Sequence, residues 1–158
     1  MSNKNKGKRL YFEDCNEGDR YLTVKYPVTA EEIIEFANKW DPQPWHIDEQ
    51  QAKASFFGGL TACSAHIFSI FSIISQQWEN GVVQQAFAGL GFDEMRMLKP
   101  VYAGDTLQCE SVISMVRESK SQPDCGIVTY STTLFNQNSE AVFSIKASSL
   151  MKKNPDRN

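Results

Sequence analysis

The spacing of apolar residues changes period along the chain, and each change predicts an element. Leu22, Val24 and Tyr26 alternate with polar neighbours between Tyr21 and Tyr26, the period of two expected of a half-buried strand. Pro27 ends it. Ile33, Phe36, Ala37 and Trp40 then recur at helical spacing and predict one buried face. Thr29-Ala30-Glu31-Glu32 has the form of a capping box, with Thr29 as N-cap, Glu32 at N3, and Val28 and Ile33 as the hydrophobic staple. Asp48 to Ala54 reads as a short helix whose acidic start suits its dipole. Phe56-Phe57-Gly58-Gly59 breaks it, the paired glycines allowing tight backbone geometry and close approach by a ligand. Leu60 to Trp78 is the longest candidate helix. It is apolar at Leu60, Ala62, Cys63, Ile67, Ile70, Phe71, Ile74 and Trp78 and nearly free of charge, so a central position wrapped by a sheet is expected.

The second half returns to the period of strands. Val82 to Met97 carries Phe87, Leu90, Phe92, Met95 and Met97, with a parity slip at Asp93-Glu94 that predicts a bulge. Pro100 to Asp105 is a turn. Leu107, Cys109, Ser111, Ile113 and Met115 alternate, the polar stretch from Glu118 to Gly126 makes a hairpin loop, and Ile127 to Phe135 and Ala141 to Met151 follow as strands joined through Asn136-Gln137-Asn138-Ser139. The class is α+β: a strand, helices, then about four long antiparallel strands. A single folded domain over residues 10–151 is expected, with residues 1–9 and 152–158 as flexible tails.

Composition narrows the class without naming a chemistry. At 158 residues and 17.9 kDa the chain has the size of one domain with a real core. Its 41% hydrophobic and 22% charged residues are those of a soluble globular protein. The net charge of -3 and pI near 5.4 give no reason to expect nucleic acid. The polar, basic start from Met1 to Arg9 is neither a signal peptide nor a membrane span. Cys15, Cys63, Cys109 and Cys125 show no CxxC spacing, so reduced thiols in a cytoplasmic enzyme are expected rather than a disulfide scaffold. No phosphate-binding loop, dinucleotide fingerprint or repeat occurs, and ATP, nicotinamide and other separate cofactors have no support.

The candidate chemistry lies in Trp40-Asp41-Pro42-Gln43-Pro44-Trp45-His46-Ile47-Asp48, between two segments that read as helix. It sets one of only two histidines five residues after an acid, and two prolines fix φ and remove backbone donors. Asp41 and His46 form a candidate acid/base pair, flanked by aromatics that partial burial would turn into pKa modifiers. The plainer readings are that Asp41 caps a turn and His46 is structural. Asp48 and Glu49 read as helix-start acids. His66, three residues after Cys63, fits a nucleophile pair or a metal ligand, but no third ligand or orienting residue accompanies it and no metal is expected.

Phe12-Glu13-Asp14 with Gly18-Asp19, Val28-Thr29, Phe36-Ala37, Asp41 to Asp48, Ala52, Phe57-Gly58-Gly59-Leu60, Leu98-Lys99-Pro100-Val101 and Gly104-Asp105-Thr106-Leu107 together resemble the MaoC-like acyl dehydratase family, over roughly residues 10–151. The resemblance implies a hot-dog fold, in which an antiparallel sheet wraps a long central helix, and a homodimer or assembly of dimers with active sites near the subunit interface. It implies acyl thioesters of coenzyme A as substrates, the coenzyme entering as part of the substrate. In the (R)-specific enoyl-CoA hydratases of that family an Asp, four intervening residues and a His carry the reaction, and Asp41 and His46 match residue for residue. Reversible hydration of a 2-enoyl-CoA is therefore the expected reaction, with Asp41 as base toward water and His46 orienting it. The alternatives are thioester hydrolysis and non-catalytic acyl binding. Gly58 and Gly59 are expected to supply oxyanion donors, with Cys63 and Ser64 at the substrate. Cys63 departs from the family's serine on the central helix. Trp45, Phe56 and Phe57 are candidates for the acyl pocket, or for ordinary packing. Arg96, Lys99, Arg117 and Lys120 could meet coenzyme A phosphates, or are dispersed surface charge.

Overall fold

A computed structural model describes residues 7–157; the proposed N-terminal tail lies largely outside them. The N-terminal part supplies β1 (Arg9–Leu10), a 3-10 turn at Phe12–Asp14, β2 (Arg20–Leu22) and β3 (Tyr26–Pro27). Four helices follow: α1 (Ala30–Trp40), α2 (Pro44–Ile47), α3 (Glu49–Ala54) and α4 (Ser64–Ile74). The rest is β4 (Val83–Gln84), β5 (Ala86–Met97), β6 (Thr106–Glu118), β7 (Cys125–Phe135) and β8 (Ala141–Lys152). The sheet is antiparallel in the order β2-β6-β7-β8-β5, with β3 also on β6. This is the hot-dog arrangement, and α4 is the enclosed helix.

The stripe Ile67, Ile70, Phe71 and Ile74 on α4 has the i, i+3, i+4, i+7 spacing of a buried face. It packs into one core with Leu107, Cys109, Leu134, Val142, Phe143 and Ile145 from the sheet. Leu107, Cys109, Ser111 and Ile113 all point inward from β6, as their alternation requires. The bulge expected at Asp93-Glu94 is present: the β5 to β8 register shifts between Asp93 and Arg96, and Glu94 takes φ 49°.

Four expectations need correction. The central helix is shorter than the span from Leu60 to Trp78. Leu60 to Ala62 is extended because its backbone is recruited elsewhere: Ala62 N–H donates to Val101, Ala103 N–H donates to Leu60, and Thr61 bridges Tyr102. The first strand faces the other way, since Leu22 is exposed while Thr23 is fully buried. A buried threonine is tolerated because its hydroxyl accepts from Cys109 N–H and donates to Val24 C=O. Trp40 is 65% exposed rather than part of the buried face of α1, and Lys39 Nζ lies 5.3 Å over its ring. The C-terminal segment is held rather than loose: Lys152 ends β8, Asn154 N–H donates to Glu13, Lys153 pairs with Glu118 and Arg157 with Asp14.

A second small core closes the far end of the sheet, where Leu10, Phe12, Cys15, Trp78, Ile113, Tyr130 and Met151 pack together. Burial pushes the Cys15 and Cys109 thiols up to about 12 from an ordinary value near 9, and pushes the Tyr130 phenol up as well. The folded state thus favours the neutral forms. The two thiols' contribution to stability is complete below pH 9 and is lost as pH rises from 9 through 12, because only the unfolded chain ionises readily. Urea midpoints measured from pH 7 upward are expected to hold to about pH 9 and then fall.

Candidate active site

Three short structural devices bring Asp41 and His46 together. Thr29 caps α1 by accepting from Glu32 N–H, and Asp41 ends the same helix, its N–H donating to Ala37 C=O. Pro42 and Pro44 cannot continue α1, and Pro44 opens α2 where its missing N–H costs nothing. The single turn of α2 then carries His46 back toward Asp41. His46 Nε2 and Asp41 Oδ2 stand 3.9 Å apart, too far for a direct hydrogen bond and suited to sharing one small molecule between them.

The imidazole is held in one tautomer by its surroundings. Its Nδ1 lies 2.5 Å from the Thr61 carbonyl oxygen, an acceptor only, so Nδ1 carries the proton and donates. Nε2 is then the ring nitrogen that faces Asp41. His46 is buried, whereas the Asp41 side chain is 39% exposed. Thr61 is a site residue that the sequence did not flag; its carbonyl holds the ring, and its hydroxyl lies 3.4 Å from the same nitrogen. The extended backbone before α4, which shortened that helix, is what aims this carbonyl.

A cleft of about 310 Å³ opens over the pair, lined also by Phe57, Ser64, Ile67, Met97 and Lys99. Ser64 is the first residue of α4. The first intrahelical bond runs from Ile67 N–H to Cys63 C=O, so the amides of Ser64, Ala65 and His66 precede the ladder and give this end its partial positive charge. That geometry offers a donor to an oxygen bearing developing negative charge.

The other expected site residues separate. Gly58 does not line the cleft: its N–H donates to Ser55 C=O within a turn, where its φ is 66°. Gly59 faces the Tyr102 ring and does not line the cleft. Cys63 is buried as the N-cap of α4, where burial pushes its thiol up and keeps it neutral, and it does not line the cleft. Ser64 does line the cleft. Of the three aromatics only Phe57 lines it; Trp45 packs edge-on to His46 at 6.1 Å, and Phe56 is 97% exposed. Asp48 caps α3 by accepting from Gln51 N–H, as a helix-start acid should. His66 bonds Glu32 instead of forming a pair with Cys63, and no cluster of three metal-ligating side chains occurs among the described residues. Lys99 reaches the cleft but is paired with Glu140 at 2.5 Å. No described helix is long and apolar enough to cross a membrane.

Comparison with known proteins places the chain in a family and agrees with the fold. Residues 14–135 match the family described as MaoC like domain. The crystal structure of the MaoC-like dehydratase from Rhodospirillum rubrum is 34% identical, covers 92% of this chain and 99% of its own, and superposes with a TM-score of 0.84. The uncharacterized protein YdeM of Bacillus subtilis is 28% identical over 145 residues, 91% of this chain and all of that protein. A mesaconyl-CoA hydratase from Cereibacter sphaeroides is 36% identical over 86 residues, 54% of this chain but 25% of its own length. The cleft at Asp41 and His46 is therefore that of a member of the MaoC-like dehydratase family.

Proposed function

We propose that the protein reversibly hydrates a 2-enoyl thioester, with coenzyme A as the carrier. The observation that carries this reading is His46 Nε2 facing the Asp41 carboxylate across 3.9 Å, with the first turn of α4 opening onto the same cleft. One water between the pair donates a hydrogen to each. As its oxygen bonds to C3, the pair takes up one proton, with Asp41 the main base, and returns it to C2, so that water adds across the double bond. The electron pair leaving the double bond passes to the thioester oxygen during the step, where the Ser64 amide stabilises it.

Two further features support the reading. Along the same helix, a second cavity of about 420 Å³ lies between the C-terminal half of α4 and the sheet, lined by Phe71, Trp78, Phe92 and Ala147. It has the size and character for an acyl tail. β5 is a twelve-residue strand at the sheet edge, bonded among the described residues to β8 alone, with Phe87, Leu90, Phe92, Met95 and Met97 exposed. Such an edge calls for cover, and a second copy pairing along β5 would supply it.

The test is to incubate the protein with short and medium trans-2-enoyl-CoAs while following conjugated absorbance and free thiol in parallel. Loss of absorbance without thiol is expected. Thiol release from saturated acyl-CoA would instead make the protein a thioesterase, and binding without turnover would make it an acyl-binding protein.

A further inference from the structure

The second histidine belongs to a cluster that the proposed chemistry does not use. His66, in the first turn of α4, is 2% exposed. Its Nε2 lies 3.2 Å from Glu32 Oε1, and its ring stacks on Phe36 at 4.5 Å with the planes 8° apart. Glu32 and Phe36 both belong to α1. The Tyr26 hydroxyl donates to the same Glu32 oxygen at 2.5 Å, so the carboxylate is fixed from β3 as well. His66 Nδ1 is buried without a hydrogen-bond partner among the described residues. A carboxylate accepts only, so Nε2 carries a proton and donates to Glu32.

The placement of this contact matters for the site. α1 ends on Asp41, and α4 begins with Ser64, two residues before His66. The two halves of the proposed chemistry, the base and the oxyanion donor, thus sit on two helices that His66 joins. We propose that His66 is a positioning residue: clamped between Glu32 and Phe36, it fixes the first turn of α4 against α1 and so sets the Ser64 amide relative to Asp41 and His46. This inference rests on the hydratase reading of the cleft, in which the Ser64 amide receives the thioester oxygen.

His66→Leu removes the donor, while His66→Gln returns an N–H near the position of Nε2. The inference predicts that His66→Leu lowers kcat by up to about 10²-fold with KM little changed, and that His66→Gln restores most of it. Nuclear magnetic resonance supplies a readout independent of turnover. With only two histidines in the chain, nitrogen-15 labelling is expected to show one imidazole protonated on Nε2, His66, and one on Nδ1, His46. The Ser64 amide resonance shifts in His66→Leu and returns in His66→Gln. A His66→Leu protein of reduced Tm but unchanged kcat and Ser64 resonance would overturn the positioning role and make His66 a packing residue. If the wild-type protein hydrated no enoyl thioester while the tautomers and the Ser64 shifts appeared as expected, the hydratase reading would fall and the tie between the helices would stand.

Discussion

Asp41→Asn is expected to lower kcat/KM for hydration by about 10²–10⁴-fold, the usual contribution of a positioned acid/base group, with the protein as stable as before. The amide keeps the shape of the carboxylate but cannot take the proton of the attacking water. Stability should hold because the part of Asp41 that ends α1 is its backbone N–H, bonded to Ala37 C=O, and its side chain is only half-buried. His46→Gln should reduce the rate comparably but behave differently on unfolding. It removes the ring whose Nδ1–H donates to Thr61 C=O inside the protein, and a buried acceptor left unpaired costs about 1–3 kcal/mol. Urea midpoints of the two variants separate these cases: Asp41→Asn at the wild-type midpoint, His46→Gln below it.

Phe143→Ala is expected to destabilise the fold by about 3–5 kcal/mol, the range for emptying a fully buried aromatic site. Phe143 has no exposed surface and packs on Phe71 of the central helix with ring centroids 5.7 Å apart. Its neighbours in the sheet are Leu134 and Met97, so the cavity would open where α4 meets three strands. Denaturant titration gives the value directly, and a loss below about 1 kcal/mol would show that this core relaxes more freely than its packing implies.

Much of the architecture could be read in advance because its causes are local. The cap at Thr29, the stripe on α4 and the alternation from Leu107 to Ile113 are each written within one or two turns of chain, and the bulge at Asp93-Glu94 shows as a break in parity. Asp41 and His46 were legible for a similar reason, since five residues and two prolines bring the groups together without help from elsewhere. What escaped depends on partners distant in sequence. Leu60 to Ala62 has a helical pattern, but Val101, Tyr102 and Ala103 claim its backbone. Thr23 looks like an outward polar residue until Cys109 N–H supplies a donor for its hydroxyl. Gly58 invites an oxyanion role by residue type, yet its amide is consumed in its own turn, and Ser64 holds the exposed helix end. The pairing of Glu32 with His66 spans 34 residues and has no signature in either neighbourhood.

The account stands most directly on one comparison: initial rates of loss of enoyl-thioester absorbance for the wild-type protein, Asp41→Asn, His46→Gln and the double variant, measured side by side on the same trans-2-enoyl-CoA. Because both side chains act on one water, the prediction is turnover by the wild type, a deep loss in each single variant, and a double variant no worse than the poorer single. Hydration that continued unchanged in both single variants would contradict it.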